Sequence, residues 1–309
     1  MITLTEALDK TGMTLQAAGA LVGLGKSAVS RIKSHDYPNW TNYEISIIRK
    51  MVDGGMLDKE HLGAEGDIEP GNLKLDPTTF IPTINVVETN NLANGLLDPT
   101  TTLNSSIGMI VGSAGYGKTT AIKHFASESP QAAYILYMEG YTLTMLLKTI
   151  SIELTGTCQR YFDQNLALIK EATSTYRKLV IIDEADRMPI RLLEALRNIN
   201  EFCGAPLLLV GEKALQAKLE AVPRLKSRIR KPEIAFVPIN VTDVATFYQM
   251  AVGIDISEQK EVCRQLLRWA GNDFRNLVND AQHIVSSMNT SGVYILSEEV
   301  LNAYKPLRS

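Results

Sequence analysis

The chain is poor in the features that mark secreted, membrane and disordered proteins. Its 309 residues include only three cysteines, Cys158, Cys203 and Cys263, an odd number spaced more than 40 residues apart with no CxxC pair. That spacing excludes a disulfide framework and the common thiolate metal sites, and the three read as small buried apolar residues in a reducing compartment. No run approaches the roughly 18 apolar residues of a membrane span. Met1–Lys10 carries Glu6 and Asp9 where a signal peptide needs an apolar stretch, so the expectation is a protein that stays in the cytoplasm and touches no membrane. Neither charge is in excess: 31 Lys+Arg face 34 Asp+Glu, a net charge of −3, which excludes a bulk polycation. With 45% hydrophobic and 21% charged residues the chain can fill a real core, and its length suggests about two domains.

The charge is unevenly placed. Residues 63–105 hold one basic and six acidic side chains, whereas 106–237 hold 17 basic and 13 acidic ones. The acidic strip also contains Gly63, Gly66, Pro70, Gly71, Pro77 and Pro82, the composition of a linker. The expected organisation is an N-terminal domain over 1–62, a linker over 63–85, a central domain over 86–237 and a final domain over 238–309.

Between Thr14 and Lys33 the sequence TLQAAGALVGLGKSAVSRIK places two short apolar-patterned segments on either side of Gly23. This is the pattern of a helix-turn-helix, with Gly23 at the turn and Gly19 allowing close helix approach. Val29 and Ile32 face the seam, which leaves Gly25, Lys26, Ser27, Ala28, Ser30, Arg31 and Lys33 on the open side, where Lys26, Ser27, Ser30, Arg31 and Lys33 are the candidate DNA contacts. The segment resembles phage repressor-type domains; a small helical bundle that contacts protein is the alternative. Residues 41–52 supply a closing helix with Ile45, Ile48 and Val52 at helical spacing.

The most informative segment begins with the apolar run Ile107–Val111. It leads into Gly112-Ser113-Ala114-Gly115-Tyr116-Gly117-Lys118-Thr119-Thr120 and then a helical stretch, which is GxxxxGK[ST] in its required strand, loop and helix context. Such a loop turns backbone N–H groups toward phosphates, its Lys118 reaches the β- and γ-phosphates of ATP, and Thr119 offers a hydroxyl to Mg²⁺. A second run, Lys178–Ile182, ends in Asp183-Glu184 and reads as a Walker B strand lying alongside the P-loop strand in a parallel sheet. Asp183 is expected to hold Mg²⁺ through water and Glu184 to polarise the attacking water. Further strands are expected at Tyr134–Met138, Leu207–Val210 and Ile234–Val237. After Pro238 the pattern is helical, over 242–252, 257–270, 274–289 and 297–304.

An α/β P-loop core with a parallel sheet and a C-terminal helical lid, preceded by an all-α helix-turn-helix domain, resembles the AAA+ ATPases. Within them it is similar to the Mu-type phage transposition B proteins, through the linker, the Val87-Glu88-Thr89 segment, the LVIIDEAD strand and the short lid. The letters Asp183 to Asp186 do not make it a DEAD-box helicase, because that family's further motifs and second core domain have no counterpart. The resemblance implies an ATPase that binds duplex DNA with little sequence preference, assembles with itself into oligomers or filaments on target DNA, activates a transposase and disassembles on hydrolysis. If phage-encoded, it acts in the host cytoplasm. By the same resemblance Arg228 is the arginine finger, with Arg224 as its substitute, within the basic segment Arg224–Lys231. Arg275 is the sensor-2 arginine at the start of a lid helix.

One position departs from the family pattern. Glu212 follows the strand Leu207–Val210 where a polar donor usually stands, and an ionised carboxylate cannot donate, so slow basal hydrolysis accelerated by a partner is expected. DNA contacts of the core are sought at Tyr141, Thr142, Thr144, Lys148, Arg177 and Lys178. Two other readings remain open: a helicase-loader or insertion-sequence helper ATPase, and a sequence-specific helix-turn-helix regulator whose oligomeric state ATP sets.

Overall fold

The computed structural model describes residues 2–37, 40–62, 73–100, 106–230 and 233–304. Residues 63–72 of the expected linker and Lys231 of the basic segment lie outside the described residues. The chain divides into two compact units, one made of 1–81 and 239–309 and the other of 82–238.

The helical unit opens with α1 (Leu4–Thr11), α2 (Leu15–Ala20), α3 (Lys26–Lys33) and α4 (Trp40–Asp53). Each start has a local cause. Thr3 and Glu6 form a reciprocal capping box at α1, and the Thr14 hydroxyl accepts from the Ala17 N–H at α2. Gly23, at φ +71°, makes the turn before α3, and a Cβ on Gly19 would lie 2.2 Å from the Leu24 carbonyl oxygen and 3.0 Å from a Val29 methyl. Val29, Ile32, Ile45, Ile48 and Val52 are buried as their spacing requires. Ala28 corrects an expectation: it is 7% exposed and packs inward rather than on the open side of α3. Its small methyl joins the same apolar core as Leu24 and Val29.

The nucleotide unit begins with α5 (Ile84–Leu97) and alternates thereafter: β1 (Ile107–Val111), α6 (Lys118–Glu128), β2 (Ala132–Leu136), α7 (Leu143–Thr155), α8 (Phe162–Thr175), β3 (Leu179–Asp183), α9 (Ile190–Cys203), β4 (Leu207–Gly211), α10 (Lys213–Glu220), α11 (Pro223–Lys226) and β5 (Ile234–Ala235). The five strands are parallel in the order β2-β3-β4-β1-β5. β1, β3 and β4 are buried at every position, as sheets covered by helices on both faces demand. The Walker B strand is therefore not beside the P-loop strand: β4 lies between them and pairs with both, Ile107 opposite Leu207 and Val180 opposite Leu207. β4 is apolar throughout, so it fills the fully buried central place. β2 starts two residues earlier than expected because Ala132–Leu136 carries the alternation of an edge strand.

The helical unit resumes with α12 (Val241–Phe247), α13 (Lys260–Ala270), α14 (Phe274–Ser291) and α15 (Glu298–Ala303). Ser257 does not open α13, because Asp255 Oδ1 accepts the Ser257 N–H at 2.9 Å and holds it in a turn. The chain thus organises differently from four successive segments: N- and C-terminal helices share one apolar core that includes Leu4, Val29, Ile47, Phe247, Leu266 and Ile284. The second half of the expected linker joins that core. Leu73 is buried and exchanges two hydrogen bonds with the Asn289 amide, at 2.8 and 2.9 Å, and the Asp76 N–H donates to the Ala251 carbonyl at 2.9 Å. Apolar Leu73 and Ile81 give an otherwise polar tract something to bury. Cys203 and Cys263 are buried, but Cys158 is exposed, on the polar connection between α7 and α8. Among the described residues no helix is long and apolar enough to cross a membrane.

Candidate nucleotide site

The site grows from the ends of β1 and β3. β1 stops where Gly112 begins the loop, and the loop closes on Gly117, whose φ of +85° only glycine adopts without strain. α6 then starts at Lys118, so Lys118 and Thr119 sit at a helix N-terminus, where unsatisfied N–H groups and the helix dipole favour an anion. Gly112 is buried against Phe236, whose Cβ would lie 2.7 Å from a side chain there, and Gly115 is also buried. Ser113, Ala114 and Thr120 are exposed, and Tyr116 and Gly117 half-buried.

Lys118 Nζ donates to the Gly112 and Ser113 carbonyls at 2.6 and 2.9 Å, spanning the loop. Partial burial lowers its pKa, opposed by the nearby carboxylates of Glu212, Asp183, Glu184 and Asp186. Thr119 Oγ1 donates to Asp183 Oδ2 at 2.8 Å, so the P-loop threonine and the Walker B aspartate meet across the width of β4. Asp183 Oδ1 accepts the Glu184 N–H at 3.0 Å, and Oδ2 also accepts the Tyr134 hydroxyl at 3.1 Å. A hydroxyl and a carboxylate are hard oxygen donors of the kind Mg²⁺ prefers, and a glycine-shaped loop beside them suits polyphosphate, so the residues present fit Mg·ATP.

Residues 102–219 match the AAA domain family. Part of the chain is 30% identical over 138 residues to the Mu-like prophage FluMu DNA transposition protein B of Haemophilus influenzae; the match covers 40% of this chain and 46% of that protein. Among solved structures, Cdc6p from Pyrobaculum aerophilum aligns with a TM-score of 0.56 at 15% identity, over 75% of this chain and 70% of that one. The Aeropyrum pernix ORC2 protein, solved with ADPNP and ADP, aligns with a TM-score of 0.54 at 18% identity, over 74% of this chain and 69% of that one. The nucleotide unit has the AAA+ P-loop fold.

Several residues of the nucleotide unit have definite partners. Glu184 stands at φ +59°, and Arg187 Nε is 3.0 Å from its carboxylate. Asp186 Oδ1 accepts the Glu212 N–H at 3.1 Å and presses on Gly211, where a Cβ would come within 2.5 Å of it. The Lys218 ammonium ties the same turn by donating to the Asp186 and Met188 carbonyls. Arg228 pairs with Glu201 of α9 at 2.9 Å, and Arg197 binds the other oxygen of Glu201 at 2.8 Å. The Arg197 hydrogen bond chiefly holds the Glu201 carboxyl below its usual pKa. Arg224 precedes it on α11 with its carbonyl accepting from Ser227 Oγ at 3.2 Å. Arg275 belongs to the helical unit, exposed at the first turn of α14, where its N–H donates to Asp273 at 2.7 Å.

The expected DNA contacts divide. Lys26, Ser27, Ser30, Arg31 and Lys33 are exposed on α3, with Arg31 Nε bonded to the Asp36 carbonyl at 3.0 Å. Gly25 is engaged: its N–H donates to Glu258 at 2.6 Å. Thr142 caps α7 by accepting the Met145 N–H at 3.2 Å, Lys148 is half-buried on that helix, and the Tyr141 ring packs edge-on to Tyr137. Arg177 and Lys178 also cap helix ends, donating to the carbonyls of Leu96 at 2.9 Å and Leu154 at 2.6 Å. Tyr134 was not among the expected site residues; a tyrosine on the strand neighbouring Walker B, in register to reach its aspartate, was the only available signal.

Proposed function

We propose that this chain is an ATPase that binds duplex DNA with little sequence preference, assembles with itself on that DNA in an ATP-dependent way, and recruits or activates a transposase. Hydrolysis drives disassembly. The observation that carries the reading is the hydrogen bond between Thr119 and Asp183, 2.8 Å long, which joins the two halves of a phosphate and metal site in a chain similar to a Mu-like transposition protein B.

Lys118 leaves the loop carbonyls for the β- and γ-phosphate oxygens of ATP, and the helix N-terminus at Lys118–Thr120 supplies N–H donors to the same phosphates. Thr119 and Asp183 are the residues that would hold Mg²⁺, which would supply neutralisation of phosphate charge there. Glu184 orients the attacking water once its carboxylate is released from Arg187. Arg228 is presented to the γ-phosphate site of a second copy, with Arg224 as its substitute, and Arg275 serves as the sensor-2 arginine. Such a head-to-tail contact is heterologous and gives an open filament unless its rotation closes. The exposed face of α3, with Lys26, Ser27, Ser30, Arg31 and Lys33, and the start of α7, with Thr142 and Lys148, supply DNA contacts that repetition along an assembly multiplies.

Nonspecific duplex DNA with a slowly hydrolysed ATP analogue tests the proposal by electron microscopy. DNA-bound oligomers that need the nucleotide are expected, and bare DNA under both conditions rejects it. A regulator that reads one operator would prefer it by about 10³-fold or more over bulk DNA in competition. A helicase-loader or insertion-sequence helper would share the core but act on a different client, so stimulation of the cognate transposase separates these readings.

A further inference from the structure

We propose that Tyr134 is a positioning residue for the metal-binding carboxylate, acting through Asp183, a role that rests on the nucleotide-site reading. Tyr134 of β2 lies opposite Ile181 of β3 in parallel register. Side chains two residues apart on a strand share a face, so Ile181 and Asp183 stand on the same side of β3. Reaching one residue pair further along a neighbouring strand is within range only of a long side chain. The phenol spans that diagonal and its hydroxyl donates to Asp183 Oδ2 at 3.1 Å.

Asp183 is thereby held by three donors from three places. Thr119 reaches Oδ2 from α6 at 2.8 Å, Tyr134 reaches the same oxygen from β2, and the Glu184 N–H fixes Oδ1 at 3.0 Å. Only the Tyr134 bond comes from an element that is neither the P-loop helix nor the Walker B turn. It keeps the plane of the carboxylate fixed while Thr119 and Glu184 change partners during binding and turnover. The ring is itself steadied: Lys123 Nζ lies 5.3 Å from its centroid, and Lys123 is four residues beyond Thr119 on the same face of α6. Lys123, Tyr134, Asp183 and Thr119 therefore form one connected path through α6, β2 and β3. Groups that orient a metal ligand in this way are typically worth about 10- to 100-fold in metal affinity.

Tyr134→Phe removes only the hydroxyl and keeps the ring under Lys123. In the full chain, binding of a fluorescent ADP is titrated with Mg²⁺, and Mn²⁺ occupancy in the presence of ADP is followed by electron paramagnetic resonance. The Mg²⁺ concentration needed for half-maximal tightening is expected to rise by about tenfold, with Mn²⁺ affinity falling in parallel and metal-free ADP affinity unchanged. Metal dependence equal to the wild type overturns the inference, as does an equal loss of ADP affinity with and without metal, which would make Tyr134 a packing residue. If the wild-type chain binds ADP with no metal dependence at all, the nucleotide-site reading fails first and takes this inference with it.

Discussion

Glu184 combines three properties: a left-handed backbone without glycine, a carboxylate bound to a neighbouring cation, and a place directly after Asp183. A non-glycine residue at φ +59° costs on the order of 1 kcal/mol, and the hydrogen bonds of the turn, from Glu184 to Asp183 and from Glu212 to Asp186, hold it there. While Arg187 Nε stands 3.0 Å from the Glu184 carboxylate, that group is not free to orient a water, so under the proposed reading the pair is expected to suppress basal turnover. Both partners are solvent-accessible, and such a pair contributes only about 0–1 kcal/mol, so it opens readily when a competing ligand arrives. Arg187→Ala is therefore expected to raise basal ATP hydrolysis in a steady-state assay, and an unchanged or lower rate rejects the suppression. Glu184→Gln keeps nucleotide bound while lowering turnover by about 10²-fold or more. Near-normal turnover in that variant would remove Glu184 from the reaction. Lys118→Ala, which takes away the ammonium at the loop's centre, is expected to abolish binding of fluorescent ATP, and retained affinity would contradict the phosphate role.

At the scale of elements, what was legible in the sequence was whatever has a short-range cause. The P-loop, its strand and its helix were readable because Gly117 needs a positive φ and Lys118 opens a helix. The apolar runs at 107–111, 179–182 and 207–210 read as buried strands because few other structures bury such runs completely. Strand order was not legible: the insertion of β4 between β1 and β3 is set by crossover connections rather than by any local pattern. Nor was the union of the terminal helices, which depends on contacts more than 200 residues apart, such as the hydrogen bonds of the Leu73 backbone with the Asn289 amide. Arg177 and Lys178 looked like free charge because nothing local reveals that a carbonyl lies within reach. The packing of α2 on α3 was readable through Gly19, and it is testable. A Cβ there meets backbone at 2.2 Å, which cannot rotate away, so Gly19→Val is expected to destabilise the helical unit by about 1–3 kcal/mol or more. Both tryptophans, Trp40 and Trp269, belong to that unit, so tryptophan fluorescence on heating reports it selectively. An unshifted fluorescence melt would show that the two helices are not in this close contact.

At the scale of the whole molecule, a net charge of −3 by itself argues against DNA, yet the charge is segregated, with basic residues in excess over 106–237 and acidic ones over 63–105. A single copy of a chain with a net charge of −3 is expected to neutralise few phosphates, and affinity for DNA rises steeply with that number, because each neutralised phosphate contributes about −0.9 to the slope of log K against log salt. Binding by the lone chain should therefore be weak, and appreciable binding should appear only when ATP joins many copies along one duplex. The salt slope then identifies the contributing face. Replacing Lys26, Arg31 and Lys33 together by alanine removes three exposed cations from α3 and is expected to lower the slope by up to about 3 per bound copy. Arg31 contributes the least of the three, since its guanidinium is already bonded to Asp36. If binding is backbone-driven, the loss is the same on every duplex sequence; if α3 reads an operator, the triple variant loses affinity for one sequence and retains the rest. A slope and affinity equal to the wild type on all duplexes would clear α3 of any DNA contact and move the search to Thr142 and Lys148 at the start of α7.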